Sequence, residues 1–133
     1  MLKSIGVVVG SYLLSVVLVF ATDPLLSHLF PGDFVKGNIS SNPALLTSTV
    51  LFILISILCA SVCTGLAPPP KSRHVLWFFV LGEVMGIAVT ILNWSSGLPH
   101  WYSLSWLLAW PISCWLGFVL VLRWTGRRLP RPN

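Results

Sequence analysis

Four long stretches with almost no charged residue alternate with short polar segments along the chain. Crossing about 30 Å of hydrocarbon as a helix takes roughly 20 apolar residues. Stretches at 4–22, 43–67, 74–94 and 101–122 are long enough, and the third contains a single acid, Glu83. Such runs are too long for barrel strands, and a backbone in lipid must satisfy its own hydrogen bonds. The pattern predicts an all-α integral membrane protein, a bundle of four transmembrane helices forming a single domain over 1–133.

Composition excludes several other classes of protein. Hydrophobic residues make up 56% of the chain and charged residues 8%, whereas a soluble domain carries about a quarter charged residues. Disorder requires low hydrophobicity, and nucleic-acid binding requires a broad basic surface. We therefore expect the lipid bilayer as the main partner, and no nucleic acid.

The first stretch has two interpretations. Lys3 precedes an apolar run that ends in Val19, Phe20 and Ala21, which resembles a signal peptide with a small-residue cleavage site. The run is longer than the roughly 7 to 15 apolar residues of such a segment. We expect a retained helix, and either interpretation leaves the orientation of the other three helices unchanged.

Basic residues predict the orientation, because lysine and arginine accumulate in cytoplasmic loops. Seven of them fall on one side of the four spans: Lys3, Lys71, Arg73, Arg123, Arg127, Arg128 and Arg131. Lys36 alone falls on the other side. Both termini, the loop 68–73 and the basic tail 123–133 should be cytoplasmic, and the loop 23–42 extracytoplasmic. The bacterial inner membrane is the expected location.

The extracytoplasmic loop is predicted to contain a short amphipathic helix. Asp23 suits an N-cap and Pro24 the first helical position. Apolar residues then recur at helical spacing before a Pro-Gly pair, namely Leu25, Leu26, Leu29 and Phe30. We expect this helix to lie on the outer membrane surface.

Small residues at every fourth position predict where the helices pack, because close approach in lipid depends on them. Each span carries such a stripe. The candidate packing positions are Gly6 and Gly10 in the first span, Ser56, Ala60 and Thr64 in the second, Gly82 and Gly86 in the third, and Ala109, Ser113 and Gly117 in the fourth. The pattern leaves open whether the partner helix belongs to the same chain.

Seven tryptophans are unusual in so short a chain. Most positions suit the aromatic belts found at both membrane interfaces. Trp106, Trp110 and Trp115 lie deeper in the fourth span, where each indole N–H needs a partner. We expect packing or lipid contact for these three rather than ligand binding.

Glu83 is the main candidate for function, because an ionisable residue inside a span is costly and marks a functional site by default. No lysine or arginine lies within a span to pair with it, so we expect it to be protonated at neutral pH. Matching depths gives candidate hydrogen-bond partners, namely Ser11, Tyr12, Ser15, Ser56, Ser113 and the carbonyl of Leu107, which Pro111 leaves free. Two interpretations remain: a polar latch that fixes helix register, or a residue that exchanges a proton or binds a cation during transport.

Other chemistry has little support in the sequence. Cys59, Cys63 and Cys114 all lie within spans and lack the spacing of a redox pair. His28, Asp33 and His100 can meet at the outer surface, but their spacing is not that of a zinc motif. There is no Gly-x-Ser-x-Gly elbow or phosphate-binding loop. We expect no enzyme activity, no cofactor and no metal.

These observations favour a non-enzymatic membrane protein with an accessory or structural role. It would act as a homo-oligomer or beside a larger membrane-protein partner, and Arg123, Arg127, Arg128 and Arg131 are candidate contacts for lipid headgroups. The alternative is a small proton- or cation-coupled transporter that works as a homo-oligomer with Glu83 as its coupling residue. The third possibility is an intramembrane enzyme that uses His28, Asp33 and His100.

Overall fold

The computed structural model describes residues 2–33 and 41–128. Over this part of the chain the protein is all-helical, with four helices: α1 Leu2–Leu29, α2 Asn42–Leu66, α3 Lys71–Leu92 and α4 His100–Arg128. Each is long and apolar enough to cross a membrane. The predicted all-α architecture is confirmed, with four helices that each have the length and apolar composition needed to cross a membrane.

Prolines mark the starts of three of the helices. Pro43 occupies the first turn of α2, Pro70 directly precedes α3, and Pro99 directly precedes α4. Proline suits these positions because the first backbone N–H groups of a helix have no partner inside it. The connection between α2 and α3 is short, and it consists largely of three consecutive prolines, Pro68, Pro69 and Pro70.

The predicted short amphipathic helix after the first span is not present as a separate element. Helix α1 continues through Pro24 to Leu29 without a break. Leu26 in this last stretch is almost completely buried, with 1% exposure. Burial of this side chain favours continuation of the helix, although Pro24 removes one backbone hydrogen bond.

The helices form a bundle in which α2 and α3 each pack against all the others, while the backbones of α1 and α4 do not approach each other closely within the described residues. The contact between α2 and α4 is the most extensive. Side chains from α2, α3 and α4 form the core, namely Cys59, Ala60, Cys63, Phe78, Trp110 and Cys114. We call the end with Lys3, Lys71, Arg73 and Arg123 the basic end, and the end with Asp23 and Asp33 the acidic end.

Some of the small residues predicted to mediate packing lie at close helix contacts. A Cβ atom added to Gly117 would come within 2.7 Å of Ala60 Cβ, and one added to Gly82 would overlap the indole of Trp110. A Cβ atom at Gly86 would lie 3.1 Å from Leu107 Cδ2. Ala109 is partly buried in α4. These positions bring α4 close to both α2 and α3.

The predicted stripe on α1 is different. Cβ atoms added to Gly6 and Gly10 would meet nothing within 4 Å, and both residues are exposed. This stripe does not pack against another described helix of the chain, because it lies on a face of α1 turned away from them. Helix packing through Gly6 and Gly10 therefore stays a prediction, and its partner would lie outside the described helices of this chain.

Candidate functional site

A cavity of about 910 Å³ lies between α1, α3 and α4. It exists because the backbones of α1 and α4 do not approach each other closely, so the space between them stays open beside α3. One residue of α2, Phe52, also contributes to its wall. The cavity runs from the middle of the bundle, at Gly82 and Trp110, to the acidic end, at Asp23 and Leu98.

Helical periodicity explains which residues line this cavity. Each helix contributes positions about three or four residues apart, which form one face of an α-helix. The α1 face includes Tyr12, Ser15, Val16, Val19 and Asp23; the α3 face includes Glu83, Gly86, Val89, Thr90 and Asn93; the α4 face includes Tyr102, Ser103, Trp106, Leu107 and Trp110. The lining is mostly apolar, with polar groups grouped near its two ends.

Glu83 lies in the cavity wall near the middle of α3. Its side chain is partly exposed, whereas its Oε2 atom is buried and has no hydrogen-bond partner in the described part of the chain. No cation from the described residues pairs with it. An ionised carboxylate without a partner is costly in an apolar site.

The structure brings only some of the predicted partners to Glu83. Tyr12 and Ser15 line the same cavity, and the Ser15 hydroxyl donates to the carbonyl oxygen of Tyr12 at 2.7 Å. Glu83 Oε2 makes no hydrogen bond to any described residue, so the latch that the sequence suggested stays a prediction.

Three other predicted partners are buried outside the cavity lining. Ser11 is nearly inaccessible, and Ser56 donates to the Phe52 carbonyl within its own helix at 2.7 Å. Ser113 is buried, and its Oγ atom has no hydrogen-bond partner among the described residues. These serines belong to the helix-packing core.

Aromatic rings form one wall of the cavity. Phe52 stacks on Trp106 with ring centroids 4.2 Å apart, and Tyr102 makes an edge contact with Trp106 at a centroid distance of 5.4 Å. Trp110 packs against Phe78 at 5.1 Å. Aromatic rings in a cavity wall can attract cations, because the face of each ring is negative.

Two hydrogen bonds fix this wall. The Trp110 indole N–H donates to the carbonyl oxygen of Phe79 on α3 at 3.0 Å. The hydroxyl groups of Tyr102 and Ser48 lie 2.8 Å apart and share a hydrogen bond between α4 and α2. Trp106 Nε1 is buried and has no partner in the described residues. The wall is therefore largely pre-formed before any ligand binds.

The three deep tryptophans have separate environments. Trp106 and Trp110 line the cavity, whereas Trp115 is 62% exposed on the surface of α4. The sequence did not distinguish them, because all three lie in one uniformly apolar stretch. Their positions around the helix relative to α2 and α3 decide which of them reach the cavity.

The candidate outer-surface residues do not form a cluster. Asp33 accepts hydrogen bonds from the Ser41 backbone N–H at 2.8 Å and from its hydroxyl at 2.7 Å. His100 packs edge-on against Trp94 at 4.1 Å, and His28 lies in the last turn of α1. Over residues 2–33 and 41–128, no group of three His, Cys, Asp or Glu residues can hold a metal ion.

The remaining candidate residues lie at the basic end. Arg123 is exposed on α4, and that helix ends at Arg128, one residue after Arg127. Arg131 lies outside the described residues. Headgroup contacts of these arginines stay a prediction.

Sequence reasoning missed Asp23 and Phe52 as cavity residues. Asp23 was interpreted as a helix cap in a loop, because Pro24 suggested a helix start. The available signal was its helical spacing from Tyr12, Val16 and Val19 on one face of α1.

No protein-family model, curated protein or solved structure matches this chain.

Proposed function

We propose that this chain is a non-enzymatic multi-pass membrane protein that binds a hydrophobic organic cation in the cavity between α1, α3 and α4. The observation that carries the proposal is Glu83, a carboxyl group in the wall of a largely apolar cavity. Its Oε2 atom is buried and has no hydrogen-bond partner among residues 2–33 and 41–128. Ligand pockets typically combine an apolar lining with a few placed polar groups.

Charge balance supports a cationic ligand. The lining of the cavity has no lysine or arginine, and the described lysines and arginines lie at the basic end of the bundle, whereas the cavity extends toward the acidic end. A cation in the cavity would pair with the carboxylate and offset its loss of hydration. The same cavity would disfavour an anion, because nothing in its described lining is basic.

The aromatic wall supports an organic cation rather than a hydrated metal ion. Ammonium or phosphonium groups interact favourably with the faces of tryptophan, tyrosine and phenylalanine rings. Phe52, Tyr102, Trp106 and Trp110 present such rings to the cavity. A metal ion would require several oxygen ligands, and the largely apolar lining of the cavity groups few oxygen atoms together.

Proton exchange links this binding proposal to transport. When the cavity holds no cation, Glu83 would be neutral; when a cation binds, it would release its proton. A protein that alternates between these states can couple cation movement to a proton gradient. We therefore extend the proposal to a small proton-coupled transporter that acts as a homo-oligomer.

Equilibrium binding of labelled tetraphenylphosphonium to the protein in nanodiscs tests the proposal. We expect saturable binding by the unchanged protein and at least about a tenfold loss of affinity for Glu83→Gln, because a hydrogen bond or pair with a charged group contributes about 1.5–3 kcal/mol. Asp33→Asn is the matched control, since Asp33 does not line the cavity, and should bind normally.

Two results would overturn the proposal. One is the absence of saturable binding by a folded unchanged protein, and the other is equal binding by the Glu83→Gln variant. Transport is tested separately by proton-driven flux in liposomes, where Glu83→Gln should abolish flux. Binding without flux would leave the binding proposal standing and remove the transport extension.

The open stripe on α1 supports a second candidate, an accessory role beside another membrane protein. Gly6 and Gly10 are exposed, and added Cβ atoms would contact nothing. Glycines with this spacing allow a second helix to approach closely. Native mass spectrometry after gentle extraction tests this role: a stable complex with a different protein supports it, and a monomer or pure homo-oligomer contradicts it.

The membrane orientation is also a proposal. The seven basic residues on one side of the helices favour cytoplasmic termini and location in a bacterial inner membrane. Cysteine substitutions at Ser72 and Ser95, one at each end of the bundle, test it. A membrane-impermeant thiol reagent applied to intact cells should label the position at 95 and spare the position at 72; the reverse pattern would refute this orientation.

A further inference from the structure

The cavity carries a second acid where it reaches the acidic end of the bundle. Asp23 on α1 lines the cavity there, and its side chain is exposed. Asn93, directly after α3, and Tyr102 and Ser103 on α4 line the same region. Several polar side chains and one carboxyl group therefore line this end of the cavity.

The two acids are separated by an apolar section. From Glu83 to Asn93 the cavity extends along α3 for about 15 Å, taking 1.5 Å per residue. A similar length separates Tyr12 from Asp23 along α1. Between these ends the lining is mostly apolar or aromatic, with Thr90 as a neutral polar exception; its apolar and aromatic residues include Val16, Val19, Phe20, Met85, Val89, Trp106 and Leu107.

This pattern limits the ligands that match the whole cavity. A compact cation can pair with only one of the acids. A long molecule that is charged along its middle would place a charge against the apolar section, which is costly. A long molecule with an apolar middle and a cationic group at each end would match both acids and the section between them.

We propose that the preferred ligand of this site is an elongated dication, with one charged end at Glu83 and the other at Asp23. This inference rests on the proposed cation-binding function and names its substrate class. Asp23 acts as a specificity-determining residue: it pairs with the outer charge, while Glu83 pairs with the inner one.

Competition against labelled tetraphenylphosphonium in nanodiscs tests the inference. The competitors are decamethylene-bis(trimethylammonium), its singly charged analogue decyltrimethylammonium, and tetramethylene-bis(trimethylammonium), which carries two charges but is too short to reach both acids. We expect the long dication to compete up to about fivefold better than the monocation, the upper end of the range for one solvent-accessible ion pair. The short dication should show no such advantage.

Asp23→Asn provides the decisive comparison. In this variant the long dication and the monocation should compete equally, while tetraphenylphosphonium binding is retained. Asp33→Asn, an acid at the same end of the bundle but outside the cavity lining, should keep the advantage of the long dication.

The outcomes separate this inference from the proposed function. Failure of tetraphenylphosphonium to bind a folded protein overturns both. Normal tetraphenylphosphonium binding with equal competition by the long dication and the monocation overturns the dication inference alone. An advantage that survives in Asp23→Asn also overturns it, because Asp23 would then not hold the outer charge.

Discussion

Replacing Gly117 by alanine should destabilise the bundle by forcing α2 and α4 apart. The added methyl group would lie 2.7 Å from the Ile57 carbonyl oxygen, 2.7 Å from Ala60 Cβ and 3.0 Å from the Ser61 backbone nitrogen. Two of these atoms belong to the backbone of α2, so a side-chain rotation cannot relieve the overlap. The helix itself has to move, at the most extensive helix contact in the protein.

The expected cost follows from this geometry. Inserting a methyl group into a well-packed contact costs typically about 1–3 kcal/mol. Alanine also stabilises a helix relative to glycine by up to about 1 kcal/mol, which opposes the packing cost. Gly10→Ala separates the two effects, because it carries the same change in helix propensity and its added Cβ atom would meet nothing within 4 Å.

Reversible unfolding in mixed micelles, followed by circular dichroism, measures the difference. We expect the free energy of unfolding of Gly117→Ala to lie about 1–3 kcal/mol below that of Gly10→Ala. Equal stabilities for the two variants would refute the reasoning, since they would show that α2 and α4 are not in close backbone contact at Gly117.

Three further substitutions test other contacts. Ser113→Ala should leave stability unchanged or raise it in the same unfolding assay, because it removes a buried hydroxyl without a partner, whose burial costs about 1–3 kcal/mol; a clear loss would show that the hydroxyl has a partner. Trp110→Phe should lower stability by at least about 0.5–1.5 kcal/mol through loss of the hydrogen bond to Phe79, and unchanged stability would contradict that bond. Asp33→Ala should speed hydrogen exchange at the Ser41 amide, which loses its acceptor; unchanged exchange would contradict this contact.

The lengths of the apolar stretches were sufficient to predict four helices. Helix ends were less predictable, and Pro24 is the clearest example. Its position after Asp23 suggested the start of a new helix, but α1 continues to Leu29. The burial of Leu26 favours this continuation, and burial depends on neighbouring helices that local sequence does not reveal.

The candidate site was predicted only in part. Glu83 could be singled out because an acid within an apolar stretch is conspicuous. The cavity beside it could not be predicted, since it depends on the absence of close approach between the backbones of α1 and α4. The sequence also could not show which small-residue stripes pack inside the bundle. Gly117 and Gly10 belong to similar patterns, but Gly117 packs against α2, whereas a Cβ atom added to Gly10 would meet no described residue within 4 Å.

Proton release on ligand binding tests the central claim most directly, because a cation and a proton are proposed to compete for Glu83. A pH indicator in weakly buffered micelle solution would record protons as tetraphenylphosphonium is added. We predict that each cation bound releases a proton from the unchanged protein, that Glu83→Gln releases none, and that binding to the unchanged protein strengthens as the pH rises. Cation binding without proton release, or equal release from Glu83→Gln, would contradict the account.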